Sequence, residues 1–292
     1  MKVIKKMFGG LELTWPKLII CALVAGIYTA VMAIISAAEY TSFEDISISF
    51  ECWVLFGILI IVNSRSEIDS ALKCFVFFLI SQPLVYLLQV PFSDMGWGLF
   101  GYYKYWFIWT ILTLPMGYIG YKMKKDKWWG ILILAPMLLL LAFHAGGFLK
   151  QTIFWFPHHL LSLLICVFTM FASVLGIFEN KKAKTIGLAL CGVFLAAAVA
   201  LALVQPLKYE PILFTNGGSA GVTVDDTYEA ALEGDDIGRV AIEWMPELDD
   251  WALKGYFNHA GNARLTLTAP DCSEKQWDIS VYPDYVDYEP VG

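Results

Sequence analysis

Charged residues are scarce in this chain, at 16% of 292 residues against 58% that are hydrophobic. An ordinary soluble domain carries about 25% charged residues, so that class is excluded. Histidine is scarcer still, with four residues, and the patterns in which histidine does chemistry are missing. There is no HExxH helix, no serine-centred elbow, no glycine loop to cradle phosphate and no Cys/His spacing of a zinc site. No catalytic residue, metal or cofactor is therefore assigned. Of the six cysteines, Cys21, Cys52, Cys74, Cys166 and Cys191 lie in apolar runs, where a thiol packs as a small hydrophobe. Only Cys272 lies beyond them, which excludes a disulfide within the C-terminal region.

Long apolar runs are what the sequence has in quantity. Seven of them, near residues 16–38, 45–63, 72–92, 105–121, 128–148, 158–178 and 185–204, approach the roughly 20 helical residues that cross about 30 Å of hydrocarbon. A polytopic bundle of seven transmembrane helices over residues 1–205 follows, each satisfying its own backbone amides. Lys2, Lys5, Lys6, Lys17, Arg65, Lys73, Lys122, Lys124, Lys125, Lys127, Lys181, Lys182 and Lys184 fall on one side of it, and only Lys104 and Lys150 in short loops on the other. Thirteen against two predicts a cytoplasmic N-terminus, and an odd number of crossings then puts the C-terminus outside. The first run is too long for the apolar core of a signal peptide and is expected to stay uncleaved. The expected setting is a bacterial plasma (inner) membrane, with the lipid bilayer as partner.

At Gln205-Pro206 the chain changes character. Residues 1–205 hold 15 basic and 10 acidic side chains, a balance of +5, whereas residues 206–292 hold 5 and 17, a balance of −12. An acidic exported domain argues against nucleic acid as a partner. Its period also changes from helical to alternating. "ARLTLTA" puts Leu265, Leu267 and Ala269 on one face, and "QWDISV" does the same with Trp277, Ile279 and Val281. "RVAIEW", "WALKGYF" and "PILFTNGG" supply three further strands, so a small all-β sandwich is expected over residues 206–292. The run "GDDIGRVAIEW…LKGYFNHAGNARLTLTAPDCSEKQWDISV" resembles bacterial immunoglobulin-like domains, over about residues 210–285. That resemblance implies an immunoglobulin-like sandwich serving as a spacer or adhesive module towards an envelope partner. The helical part resembles no family.

Within the helices, Ala22, Gly26 and Ala30, and likewise Gly192, Ala196 and Ala200, repeat small residues every fourth position and are expected to be packing faces. Gln82, Tyr86 and Gln89 share one stripe, and Thr110, Thr113, Gly117 and Gly120 of the next run share another. These stripes serve either a polar solute path or interhelical hydrogen bonding. Pro83, Pro115 and Pro136 fall inside three successive runs. The segment "DMGWGLFGYYKYWFIW" has too much glycine for a helix and is expected to lie as an aromatic belt at the outer interface.

The polar residues most out of place are three histidines in "LAFHAGGFLKQTIFWFPHHLLSLL" and one glutamate. His144, His158 and His159 all approach the outer surface, the last two just after Pro157 at an expected helix start. They fit an interfacial anchoring role beside Trp155 and Phe156. The second run reaches spanning length only by recruiting residues back to about Ile46, which draws Glu51 roughly 8 Å below the surface. A carboxylate there needs a partner or a wet cavity. Its candidate partners are His144, His158 and His159, with Asp94 nearby. Two readings stand: a non-enzymatic envelope protein presenting its acidic domain to a surface partner, or a transporter or intramembrane metal-dependent enzyme centred on Glu51 and the outer histidines.

Overall fold

The computed structural model describes residues 2–38, 40–93, 96–125, 127–204, 208–216, 222–246, 249–282 and 285–291, and at residues 36 and 48 the backbone alone. The chain forms two compact units, residues 1–149 with 158–201, and residues 150–157 with 202–292.

The first unit is helical, with α7 and α9 ending a few residues beyond it in the second: α1 (Lys2–Met7), α2 (Trp15–Ile34), α3 (Ser42–Ile48), α4 (Phe50–Val62), α5 (Glu67–Gln89), α6 (Phe100–Gly120), α7 (Gly130–Phe154), α8 (Leu160–Ile177) and α9 (Lys181–Val204). Among the described residues, six stretches are long and apolar enough to cross a membrane: α2, α3 with α4, α5 extended to Phe92, α7, α8 and α9. The helical part is that of a multi-pass membrane protein. Polar caps start several helices where propensity alone is neutral. Ser66 accepts from Asp69 N at the start of α5 (3.1 Å), and Asn180 Oδ1 accepts from Lys182 N (2.9 Å) at the start of α9. Pro83, Pro115 and Pro136 lie inside α5, α6 and α7.

The helices pack through small residues. A Cβ on Gly26 of α2 would stand 2.8 Å from the Ser81 carbonyl oxygen of α5, and one on Gly117 of α6 would stand 2.9 Å from Ala71 Cα. Ser70 Oγ donates to Gly117 O (2.9 Å), while Tyr86 meets Phe100 and Tyr103 at ring distances of 6.2 and 6.1 Å. Residues early in α5 thus touch residues late in α6, and the reverse, so the two run antiparallel along their length. The expected aromatic belt is corrected accordingly: a short 3-10 turn over Gly96–Leu99 leads into a helix that begins at Phe100 and contains Gly101. Tyrosine and tryptophan keep α6 below the apolarity of the six spans, but packing on α5 overrides the cost of its glycines. The small stripe of α9 is also corrected. Gly192, Ala196 and Ala200 are exposed in this chain, and the buried side of α9 carries Cys191, Ala198 and Ala202.

The lysine-bearing connections meet at one end of the bundle. Lys5 pairs with Glu179 (2.9 Å), Asn63 Nδ2 donates to Met7 O (2.7 Å), Tyr121 donates to Arg65 O (2.7 Å) and Lys124 donates to Ser64 O (2.7 Å). Burial lowers the Lys124 ammonium from its ordinary value.

The second unit is antiparallel β: β1 (Ile212–Thr215), β2 (Glu229–Gly234), β3 (Gly238–Met245), β4 (Asp250–Phe257), β5 (Gly261–Thr268), β6 (Glu274–Val281) and β7 (Val286–Pro290). They form two sheets, ordered β1-β4-β3 and β2-β5-β6-β7. One apolar core joins Phe214, Leu253 and Phe257 of the first sheet to Leu265, Leu267, Trp277 and Ile279 of the second, with the Phe214 and Trp277 rings 4.7 Å apart. Phe154 belongs to this core, and the Trp155 ring lies tilted against Tyr282 (4.8 Å). Residues 150–157 thus lie outside the boundary expected at residue 206. Gly217 and Gly218 at the end of "PILFTNGG", like Gln205 and Pro206, fall outside the described residues.

Candidate functional site

The stretch Ser42–Val62 is two helices, because Ser49 adopts extended backbone (φ −92°, ψ 166°) between α3 and α4. A break frees backbone groups that hydrocarbon cannot solvate, so other groups must take them up. Thr29 Oγ1 (3.3 Å) and Trp53 Nε1 (3.2 Å) donate to Ser47 O, and Ser49 N donates to Asp45 O (2.8 Å). The Ser49 hydroxyl lies within reach of both Asp45 O and Glu51 Oε2, the latter at 2.6 Å. Having one proton, it serves them in alternation. Glu51 sits in the first turn of α4, where the helix dipole favours a carboxylate. It is fully buried, and its Oε1 makes no hydrogen bond within the described residues.

The histidine ion pair goes elsewhere. His159 Nδ1 lies 2.8 Å from Asp45 Oδ2, and Ser162 Oγ donates to that same oxygen at 2.9 Å. Both partners are largely out of solvent, where a hydrogen bond is stronger than in water. Ser42 clasps α3 to the start of α8: its N and Oγ donate to His158 O (2.7 and 2.8 Å), and its Oγ accepts from Ser162 N (3.2 Å). His159 is buried and its Nε2 carries no hydrogen bond among the described residues. His158 and His159 precede α8, with His159 as its N-cap, so Pro157 is not a first helical residue.

The expected pairing of Glu51 with histidine is thus replaced by two neighbouring pairs, Glu51 with Ser49 and His159 with Asp45. Asp45 and Ser162 were missed by sequence reasoning. Asp45 reads as the start of an apolar run, and only the break at Ser49 turns α3 against α8. Ser162 opens a stripe with Cys166, Thr169 and Ser173, spaced four, three and four apart and buried on one face of α8. That helical spacing was a signal available in the sequence.

His144 stands apart from this cluster, its ring against Phe50, Phe143 and Phe148 at 5.9 to 6.2 Å. The members of the stripe Gln82, Tyr86 and Gln89 meet different partners. Gln89 Nε2 donates to its own helix at Val85 O (3.1 Å), Tyr86 joins the α6 aromatics, and Gln82 is buried with Nε2 unbonded among the described residues. Asp94 lies outside the described residues. No three His, Cys, Asp or Glu side chains converge on a metal site among the described residues. Ser162 bonds the aspartate rather than an imidazole nitrogen, so the trio lacks the nucleophile–base contact of a hydrolase. It fastens α3 to the start of α8.

In the β unit three aspartates are used locally. Asp225 accepts from Thr227 N (2.9 Å), Asp235 from Asn262 N (3.1 Å), and Asp250 from Trp251 N (2.7 Å) and Asn216 Nδ2 (2.9 Å). The Thr227 bonds hold the Asp225 carboxyl below its ordinary value. One face of β3 and β4 carries a charged network around Tyr256, which donates to Glu243 (2.6 Å) beneath the Arg239 guanidinium (4.5 Å to the ring centre). Comparison with protein-family models, with curated proteins and with solved structures gives no match.

Proposed function

We propose that this is a non-enzymatic envelope protein in which a seven-helix bundle presents an acidic β domain outside the cytoplasm to a surface partner. The carrying observation is that the β unit closes a core of its own, from Phe214 to Ile279, while bearing the chain's excess of acid. An acidic surface favours a partner with a basic face, through steering and register more than through raw affinity. The antiparallel run of α6 beside α5 supports seven crossings, since α5 leaves the lysine-bearing end and α7 starts there again, with Gly130 close to Met123 and Phe178. Lysines gathered at that end support an N-terminus inside and a C-terminus outside, in a plasma (inner) membrane of bacterial type. The β unit is immunoglobulin-like in having two packed antiparallel sheets, although its order, β1-β4-β3 against β2-β5-β6-β7, is not the ABED/CFG order of constant-type domains.

A second reading, a proton-coupled transporter, draws on the broken second span and on Glu51, whose buried Oε1 is left without a bond among the described residues. Crosslinking in intact cells followed by copurification separates the two. A stable extracytoplasmic partner lost on deleting the β unit supports the first, and persistent absence of one turns attention to the second. A C-terminal reporter active only in the cytoplasm must stay silent if the orientation holds.

A further inference from the structure

A cavity of about 340 Å³ lies between α4, α6 and α7 with α5 behind it, and its wall is almost wholly carbon. On α4 its lining runs from Phe50 to Ile61 and on α6 from Trp106 to Gly117. Eleven residues of helix give a slot roughly 16 Å long, about one leaflet of hydrocarbon. The two hydroxyls in the wall are already used: Thr110 donates to Trp106 O (3.0 Å) and Thr113 to Thr110 O (2.6 Å). No polar ligand is called for inside.

The slot opens sideways. Trp109, Met116 and Leu140 line it and are 50, 45 and 37% exposed; with α6 and α7 crossing as proposed above, what stands at the opening is the bilayer. Its outer end is different in chemistry. Phe50 closes it against Trp106 and Trp109 (5.5 and 5.8 Å), and the His144 ring lies 5.9 Å from Phe50, one turn beyond Leu140 on α7. Among the described residues His144 makes aromatic contacts alone, which leaves its ring nitrogens for an oxygen at headgroup level.

We propose that this slot seats one acyl chain of a membrane phospholipid, entering between α6 and α7, with the lipid's ester or phosphate oxygens at His144. The proposal goes beyond the function proposed above and does not depend on what the β unit binds. Methionines in the wall, Met116 and Met137, suit a chain with many rotamers.

The test uses the full chain in vesicles of phosphatidylglycerol and phosphatidylethanolamine, with a trace of phosphatidylglycerol carrying a diazirine in its acyl chain. After illumination, labelled residues are mapped by mass spectrometry. Label is expected at slot residues such as Thr113 and Met137, above that on Ile108 and Leu112, which face outwards. A Cβ at Gly57 meets nothing within 4 Å, so Gly57→Phe directs its ring into the slot and should cut slot labelling about fivefold or more, while Gly57→Ala keeps it. His144→Ala should weaken slot labelling with little effect on the outward face. Thr113→Trp supplies the same block should Gly57→Phe fail to insert. Equal labelling in the blocked variants overturns the proposal. So does label confined to the outward face, or displacement by an unlabelled polyprenyl phosphate but not by phospholipid. Slot residues crosslinked to a second copy of the chain would assign the slot to oligomer contact and overturn it equally.

Discussion

At the scale of residues, the buried polar cluster shows how far length arguments reach. Glu51 is expected below the membrane surface because its helix is too short without it, and within the protein it is fully buried. Its partner could not be read, because Ser49 breaks the span and leaves Glu51 and Asp45 on different helices. The pairs make a prediction. Removing one partner of a buried hydrogen bond leaves the other unsatisfied, at a cost of about 1–3 kcal/mol. Asp45→Asn and His159→Ala should therefore each lower the melting temperature of the detergent-solubilised protein, and the double variant should fall little further. Glu51→Gln keeps the Ser49 hydrogen bond and should cost much less, adding independently to His144→Ala. Additive losses for Asp45 and His159 would show that their contact at 2.8 Å contributes nothing.

At the scale of elements, five strands were legible and two were not. β5 and β6 alternate cleanly because each buries one face, with Leu265, Leu267, Trp277 and Ile279 inside. β2 ("EAALEG") and β7 ("VDYEP") are edge strands of the four-stranded sheet, bonded on one side. An edge tolerates acids and a terminal proline, so its sequence carries little strand signal. Glycines are equally mixed in meaning, and only the packing sorts them. Gly117 of α6 stands against Ala71 and Gly238 of β3 against Tyr256 O, the latter with φ +143°, whereas Gly192 of α9 faces open space. Gly117→Leu should disrupt the α5–α6 contact and Gly238→Ala should destabilise the β unit by more than about 1 kcal/mol. Gly192→Leu should leave the monomer's melting temperature unchanged. A loss at Gly192 as large as at Gly117 would mean that α9 uses its small stripe after all.

For the whole molecule, composition separates a greasy helical part from an acidic β part, but the covalent order does not divide them where the charge changes. Residues 150–157 belong to the second compact unit although they lie some fifty residues before its strands. Phe154 is nearly buried in the β core, and Ala260 N donates to its carbonyl (3.4 Å). No periodicity in "KQTIFWFP" announces this, since an apolar end to an apolar helix looks the same whichever core receives it. The expectation for a fragment follows from that assignment. Residues 202–292 alone should fold as a β domain, because both sheets and the Phe214–Trp277 contact are internal to it. The fragment nevertheless leaves the Phe154 site uncovered. Burying a phenylalanine side chain is worth about 1.5–3 kcal/mol, an upper bound for a flexible peptide that must also be ordered. Supplying residues 150–157 as a linked segment should raise the fragment's melting temperature and reduce its binding of a hydrophobic dye, and Phe154→Ala in that segment should cancel the gain. An equal melting temperature with and without the segment would mean that Phe154 adds nothing to the β core, and the boundary would then return to where the charge changes.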